Sequence, residues 1–428
     1  MTPRRPKTIA NSLAARCARL VAASVLAAGL LSAPALAQMS LKEAAQLAPE
    51  LDPNVTALRQ QVSSRTLGIK QARDGYYPSV SLSSDTSTTD ADGPGISLTI
   101  SQVLYDWGLI RSEIKAATQA RVQAISDLKT SVEDLTLLVS ETFLDVEIAQ
   151  NKIQLTREYM AFANRLSTQA EVRARAGLGD NGEVARARLE VARAQDRMNS
   201  LVADRDMSLA QISFLTGRKT VAVLPPPAIN YAQRYNSAAK IQSAVRIAPD
   251  YIAGRARAAE AEANVDRAKA ARLPTIQLQA QGRTDLNGGR TSTALGLSAG
   301  VDLNAGGLGG RAIQVARADA AAAASSLRGI ERQMTNTAQT ALKHIATLRT
   351  AERSRVTQLE QAARVLANYE DQFVAGQREL IDVLTTGRDL YDARIDQVDT
   401  YEERKRTEYQ AARDLGVLGT LILASSGS

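Results

Sequence analysis

Histidine and cysteine, which often supply general bases, nucleophiles and metal ligands, are almost absent from this sequence of 428 residues. His344 is the sole histidine and Cys17 the sole cysteine, so a metal site or a general base would lack its usual partners. The glycine-rich run at 306–310 resembles a phosphate-binding loop in glycine content alone, because it lacks the lysine. We therefore expect no catalytic, cofactor-binding or metal-binding residues, and we interpret His344 as an ordinary helix residue.

The first 37 residues have the three parts of a secretory signal peptide. A region with five basic residues comes first, an apolar stretch follows at 20–31, and Ala35-Leu36-Ala37 forms a small-residue cleavage site. A helix needs roughly 20 apolar residues to span a bilayer, so this stretch is too short to anchor the chain. We expect the mature protein to begin at Gln38. Because Cys17 lies inside the signal, we expect neither a disulfide nor a lipid-linked cysteine.

The charge and composition exclude some classes of protein. The formal charge is +7, and removing the five signal cations leaves +2, so no nucleic acid partner is indicated. Aromatic residues make up 4% of the chain, which is too few for a large globular core. Alanine-rich helices that bury a narrow seam explain this composition better.

The chain repeats its pattern once. Pairs of prolines recur 196 residues apart and pairs of glycines 199 apart, far beyond the period of a solenoid. Three consecutive prolines at 225–227 separate the halves, because neither a helix nor a central strand tolerates them. The pairs are Pro53 with Pro249, each after an amphipathic stretch; Pro78 with Pro274, each at the end of a helical run before a strand; Gly108 with Gly307, which open the next helices; and Gly177 with Gly376, which break them. We predict a signal peptide at 1–37, a first repeat at 38–224, a linker at 225–236, a second repeat at 237–423 and a tail at 424–428.

Each half contains two segments in which apolar and polar residues alternate, as in β-strands. Leu98, for example, lies between Ser97 and Thr99. Segments of roughly ten residues match membrane-spanning strands, which need about 9 to 11. The alternating segments are 79–83, 96–101, 276–280 and 295–303.

Two soluble hairpins with one buried face would alternate in the same way. The loops at 85–95 and 283–293 are rich in Asp, Gly, Ser, Thr and Asn, as loops outside the cell are. Together with the signal peptide, they favour membrane-spanning strands over soluble hairpins.

A very long helical stretch follows each strand pair. The first, at 109–170, contains neither proline nor glycine, and its roughly 60 residues would reach about 90 Å. Shorter partner helices are predicted at 182–215 and 379–415. Apolar positions spaced by three and four predict a coiled-coil seam in each long helix. The seam positions are Ile125, Leu128, Val132, Leu135, Val139, Thr142, Val146, Ala149 and Ile153, and then Ile330, Met334, Thr337, Ala341, His344 and Leu348.

Four strands cannot close a barrel, and the unpaired amides of an open sheet edge are costly in lipid. Membrane-spanning strands would therefore require oligomerisation, with 8 strands in a dimer and 12 in a trimer. The alanine-rich faces at 116–124 and 320–324 suit a hollow cylinder of helices, which favours the larger ring. The predicted fold is mainly α, with tandem long helical hairpins that form an α-barrel and a small transmembrane β part.

Three short segments carry a resemblance to a known family. They are Gln102-Val103-Leu104-Tyr105-Asp106-Trp107-Gly108, with a weaker copy at 301–307; Ala375-Gly376-Gln377-Arg378-Glu379-Leu380-Ile381-Asp382-Val383-Leu384, with a counterpart at 176–184; and Leu418-Gly419-Thr420-Leu421. In these segments and in the order of its elements, the mature chain resembles the TolC family of outer-membrane export channels.

The resemblance implies a homotrimer with a 12-stranded barrel, a helical barrel beneath it, and a periplasmic end held shut by a polar network. It also implies docking to a periplasmic adaptor (a membrane fusion protein) that is joined to an inner-membrane transporter. Arg378 and Asp382 fall on the constriction positions, and Glu183 falls on an acidic partner position. Thr385 stands where the prototype has a second acid and Phe373 where it has a tyrosine. Neither a second acidic ring nor a tyrosine hydroxyl link is therefore expected.

Trp107, the sole tryptophan, lies with Tyr105 at the end of a predicted strand. Amphipathic rings are favoured at the membrane interface, so we assign both residues to that level. Packing at a helix start is the alternative explanation for Trp107.

These patterns indicate a passive duct in the bacterial outer membrane with a long periplasmic portion. The preferred function is type I protein secretion, and multidrug efflux is the alternative. A periplasmic coiled-coil adaptor is a remote alternative, since an adaptor usually has one hairpin flanked by β-rich modules. An enzyme is the least favoured class, and the cargo cannot be deduced from the residues.

Overall fold

The computed structural model describes residues 38–85, 94–286, 291–301 and 310–425. The predicted signal peptide, the tips of both polar loops and most of the glycine-rich run, including Gly307, lie outside these residues. The described helices are α1 (Leu41–Leu51), α2 (Pro53–Asp74), α3 (Leu109–Arg175), α4 (Asn181–Thr216), α5 (Tyr231–Arg234), α6 (Ala238–Ile247), α7 (Pro249–Ala270), α8 (Arg311–Val374), α9 (Leu380–Asp414) and α10 (Leu418–Ala424). The strands are β1 (Ser79–Asp85), β2 (Gly95–Tyr105), β3 (Thr275–Asp285) and β4 (Thr291–Gly300).

Both halves begin with two helices that meet at a proline. Pro53 is the first residue of α2 and Pro249 the first residue of α7, where the missing N–H removes no helix bond and the fixed φ suits a helix. The Asp52 carboxylate caps α2 by accepting a hydrogen bond from the Val55 N–H at 2.9 Å. Each helix is followed by a strand, so the predicted switch from helix to strand in each half is confirmed.

The four strands form one antiparallel sheet in the order β1-β2-β3-β4. Within each half the two strands pair as a hairpin, and β2 pairs with β3 to join the halves. The register shifts between Val103 and Tyr105, next to the end of β2. One sheet thus joins the strands of both repeats.

The long helices α3 and α8 contain 67 and 64 residues, which corresponds to roughly 100 Å each. Each begins after a glycine in the left-handed region, Gly108 at φ 87° and Gly310 at φ 65°, a conformation that other residues adopt at a cost. The prediction that Gly307 opens the second long helix is wrong, because α8 begins at Arg311. The run at 306–310 contains four glycines, and composition does not reveal which of them precedes the helix.

The partner helices α4 and α9 pack back along α3 and α8 as two hairpins, and α9 also packs on α3. The observed helices agree with the predicted ranges to within one or two residues, except that α3 continues to Arg175. The chain therefore contains four neighbouring helical rods, α3, α4, α8 and α9.

The main hydrophobic core lies around the middle of the long helices, where α1 and α6 cover α3, α8 and α9. The linker is packed into this core and is not a solvated spacer. Ile229 and Tyr231 are buried in it, and the Tyr409 hydroxyl donates to the Pro227 carbonyl at 3.3 Å. The linker therefore fixes the two halves against each other.

The predicted seam of α3 is correct in its second half and wrong at its start. The buried positions that agree with the prediction are Val139, Thr142, Val146, Ala149 and Ile153. Ile125, in contrast, is 39% exposed, whereas Ala124 and Ser126 are buried. At this level α3 packs on α2 and α7, as the bonds Arg121 to Thr66 and Gln123 to Glu260 show, so a different face of the helix is covered.

In α8, His344 was expected in the seam and is instead exposed, while the adjacent Ile345 is fully buried. The His344 Nε2 lies 3.1 Å from the Glu403 Oε1. A seam with a strict seven-residue period drifts around a straight helix of 3.6 residues per turn, which displaces a single-face prediction by one position.

A second core lies near the turns of the two hairpins and joins α3 to α9. Gly387 in α9 touches the Phe162 ring so closely that an added Cβ would lie 2.2 Å from the Phe162 Cε1. Beside this contact, the rings of Tyr159 and Tyr391 stack with their centroids 4.7 Å apart. The hairpins can approach this closely because residue 387 has no side chain.

Gly387→Ala is therefore expected to destabilise the protein by about 1–3 kcal/mol, the usual cost of overpacking, and to lower its thermal unfolding midpoint. Gly329→Ala is the matched control, since Gly329 lies in α8 with no atom within 4 Å of an added Cβ. There the change should be neutral or stabilising, because alanine is the better helix former. A Gly387→Ala protein that melts at or above the control would contradict this packing.

Candidate functional site: the membrane sheet and the hairpin turns

The sheet has one apolar face and one polar face. Val80, Ile100, Ala280 and Leu295 lie directly opposite one another across the four strands, and paired residues point to the same side. The next row on the other face is formed by Ser81, Thr99, Gln281 and Ala294. Six more large apolar residues share the first face: Leu82, Ile96, Leu98, Ile276, Leu278 and Leu297.

The apolar face is open in the single chain. Leu82, Leu295 and Leu297 are each more than 70% exposed, although side chains of this type are normally buried. A contiguous exposed apolar surface marks contact with lipid or with another protein. In the described part of the sheet, β1 and β4 each pair on one side only, so both outer edges carry unpaired backbone groups.

The junction between β2 and α3 holds the two aromatic residues assigned to the membrane interface. The Tyr105 and Trp107 rings meet edge to face with centroids 4.8 Å apart, and both side chains are about half exposed. The Trp107 indole N–H donates to the Pro274 carbonyl at 3.0 Å and so connects the two repeats. Asp106 caps α3 by accepting from the Gly108 N–H at 3.0 Å and the Ile110 N–H at 2.7 Å.

The far ends of the hairpins turn in the same way in both halves. Gly177 and Gly376 have φ values of 74° and 75°, as the predicted glycine breaks require. The Leu178 N–H bonds to the Arg173 carbonyl at 2.9 Å, and the Gln377 N–H bonds to the Gln372 carbonyl at 2.8 Å. The two turns therefore present equivalent positions after each glycine.

Arg378 lies in the second turn and is held by its own hairpin. Its Nε donates to the Gln372 Oε1 at 3.2 Å, and its Nη1 lies 3.4 Å from the Asp382 Oδ2. The guanidinium also covers the Tyr369 ring, 3.9 Å from the centroid. The structure thus brings together two of the predicted site residues, Arg378 and Asp382.

Glu183 lies in the first turn of α4, and its backbone N–H donates to the Asp180 Oδ1 at 2.7 Å. Its Oε2 is buried without a hydrogen-bond partner in the described chain. The described ion pairs of Arg378 include Asp382 and do not include Glu183. Within one chain, the predicted contact between Arg378 and Glu183 is not formed.

Arg173 is a residue of this region that the sequence did not single out. It reaches from the end of α3 to the second hairpin, where its guanidinium lies 4.9 Å from the Phe373 ring centroid. Its Nη1 donates to the Phe373 carbonyl at 3.4 Å and its Nη2 to the Leu178 carbonyl at 3.3 Å. A phenylalanine at position 373 can thus link the hairpins without a hydroxyl, because its ring face attracts a cation.

The described residues contain no cluster of three or more His, Cys, Asp or Glu side chains arranged to hold a metal ion. None of the described helices combines the length and the apolar character that crossing a membrane would require.

A sheet with an apolar outer face, connected to helical rods of about 100 Å, defines a subunit of an outer-membrane channel. A family model described as outer membrane efflux protein matches residues 44–218 and 241–416. Protein CyaE of Bordetella pertussis is 30% identical over 259 residues, which cover 57% of this chain and 54% of that protein. The chain thus matches about half the length of this relative.

Solved channels share the fold. CusC superimposes with a TM-score of 0.76 at 15% identity, over 88% of this chain and 91% of its own. VceC of Vibrio cholerae gives a TM-score of 0.74 at 16% identity, over 88% and 96%. The chain belongs to the outer membrane efflux protein family, whose members are transport channels of the outer membrane.

Proposed function

We propose that this chain is one third of a trimeric export duct that carries cargo passively from the periplasm through the outer membrane. The observation that carries the proposal is the sheet, apolar on one side and polar on the other, fused to four long helical rods. Such strands would place apolar side chains in lipid and serine, threonine and glutamine side chains around a wet lumen. The rods would continue the lumen into the periplasm.

The free surfaces of the chain support a ring of copies. In the described sheet both edges lack a partner, and pairing β4 of one copy with β1 of the next would satisfy their amides. In α8, just four described side chains are buried, Ala338, Ile345, Leu348 and Phe373, whereas α3 buries many along its length. A neighbouring copy would cover the open face of α8. Three copies supply 12 strands.

We assign the closed periplasmic entrance to the hairpin turns. Glu183 and Asp382 each lie six residues after a turn glycine, Arg378 pairs with Asp382, and Arg173 links the two turns within a chain. The Glu183 Oε2 is enclosed by its own chain, so in a ring the side chain would turn outward to pair with an arginine of the neighbouring copy. A periplasmic adaptor joined to an inner-membrane transporter would open the entrance by binding the open form more tightly.

Of the two export functions, we prefer type I protein secretion, because the Leu418-Gly419-Thr420-Leu421 motif resembles that of TolC. The motif forms the start of α10, where the buried Glu133 accepts from the Gly419 N–H at 3.2 Å. Burial raises the pKa of Glu133. Multidrug efflux is the second candidate, supported by the family description.

Deletion of the gene tests both routes in one strain. The secretion route predicts that a polypeptide disappears from the medium and accumulates inside the cell, while drug susceptibility stays unchanged. The efflux route predicts increased drug susceptibility with an unchanged secreted fraction. Restoration by the wild-type gene is the control. A strain in which neither property changes would contradict the export function.

A further inference from the structure

Exposed aromatic residues form a band at the end of the sheet that faces the helices. Tyr76 and Tyr77 directly precede β1, and Tyr105 and Trp107 lie at the end of β2; their exposed fractions range from 48% to 67%. The Gln102 side chain donates to the Tyr76 carbonyl at 2.7 Å and holds that segment against β2. The apolar face of the sheet therefore ends in a row of amphipathic rings, as expected at a bilayer surface.

Cations accumulate just beyond this band. In the two turns nearest the sheet, the helices α2, α3, α7 and α8 together carry eight Lys or Arg residues, against three acidic residues. All eight are exposed. We call them the basic collar: Lys70, Arg73, Arg111, Lys115, Arg267, Lys269, Arg311 and Arg317.

Within the described residues, seven of the eight collar side chains have no carboxylate partner, unlike many cations elsewhere in the protein. Among the ion pairs in the described part of the chain, Lys269 with Asp266 at 3.1 Å is the one that includes a collar residue. Along α9, in contrast, Arg404 and Arg406 each pair with two carboxylates. Since the mature chain is close to neutral overall, a net positive surface at this one level calls for an external anion.

We propose that the basic collar and the aromatic band bind the headgroups of anionic phospholipids in the periplasmic leaflet of the outer membrane. The collar begins where the apolar face of the sheet ends, which is the depth of the lipid phosphates. Lysine and arginine near an anionic membrane surface are attracted over about one Debye length, roughly 10 Å in ordinary salt. Lysine and arginine stems also lie along the apolar boundary while their charges reach the phosphates. This inference depends on the outer-membrane location and not on the cargo.

The test uses the full-length assembled protein in vesicles of phosphatidylcholine with phosphatidylglycerol added. Native mass spectrometry of the extracted assembly should show phosphatidylglycerol enriched several-fold over its share of the vesicle lipid. Raising the salt concentration during extraction should reduce this enrichment, because the attraction is screened. Equal retention of the two lipids by the wild type, at low and at high salt, would overturn the proposal without any variant.

Charge reversal locates the surface. A variant with Lys70→Glu, Arg73→Glu, Arg111→Glu and Lys115→Glu should lose the enrichment. The control reverses four exposed arginines far from the sheet, Arg157, Arg175, Arg186 and Arg197, and should keep it. If reversal of the collar prevents assembly, the neutral pair Arg111→Gln and Lys115→Gln should still lower the enrichment. Loss of equal size in the control would also overturn the proposal.

Discussion

Arginine at Leu297 is expected to remove most of the assembled channel from the outer membrane. Leu297 is 71% exposed on the apolar face and lies opposite Leu278 in the middle of the β3 and β4 pairing. An arginine on the lipid face near the middle of the bilayer costs about 2–4 kcal/mol, and a ring of three copies incurs that cost three times. Trimer recovered from outer membranes by mild detergent extraction, quantified on native gels, gives the readout.

Ser298→Arg is the matched control, because Ser298 is the next residue and lies on the polar face opposite Gln277. Its arginine would extend into the wet lumen and should leave assembly largely intact. The same comparison in β2 pairs Leu98→Arg with Thr99→Arg. Ser97 is unsuitable there, since it is buried directly opposite Arg283. Equal loss at both faces, or a monomer in the periplasm, would refute the barrel.

Replacing Arg378 by serine is expected to increase the current through the assembled channel several-fold. The guanidinium contacts three groups of its own hairpin, the Gln372 side chain, the Asp382 carboxylate and the Tyr369 ring. Serine would remove these contacts and so release the second turn. An exposed ion pair contributes about 0–1 kcal/mol, and three copies acting on one entrance would total a few kcal/mol. Since about 1.4 kcal/mol is a tenfold change in an equilibrium, the open population should rise strongly. Planar-bilayer recordings measure this directly.

Glu183→Ala should increase the current as well, and Arg173→Gln should do so by freeing the first turn from Phe373. The control is Arg175→Ser, a cation at the same end of α3 whose Nε bonds to the Glu171 carbonyl of its own helix. Asp382→Asn should weaken the preference for cations, because rings of inward acids favour cations. Asparagine keeps an oxygen that can accept from Arg378, so the entrance should widen little. If Arg378→Ser and Glu183→Ala conduct like the wild type, the entrance is held shut by other residues.

Local patterns were sufficient to predict the four strands and the four long helices. Alternation predicted the strands, and Pro78 and Pro274 marked the starts of β1 and β3, because proline excludes the preceding residue from the helical region. The glycine turns at Gly177 and Gly376 were predicted because the left-handed conformation is specific enough to be recognised. Arg378 and Asp382 were found together because they are four residues apart in one chain segment. The interface positions of Trp107 and Tyr105 and the gate roles of Glu183, Arg378 and Asp382 remain predictions.

The sequence by itself determined the features that depend on residues close together in the chain. These features are strand alternation, helix length, turn glycines and the order of elements in two repeats. What the tertiary structure decided were contacts between distant segments. Three such contacts are those of Phe162 with Gly387, Arg173 with Phe373 and Trp107 with Pro274. The two residues of each contact are 167 to 225 positions apart in the chain. No periodicity encodes such pairs, because each depends on the relative placement of two rods. The same reason explains the misplaced seam at Ile125 and His344, where the face that is buried depends on which neighbours pack there.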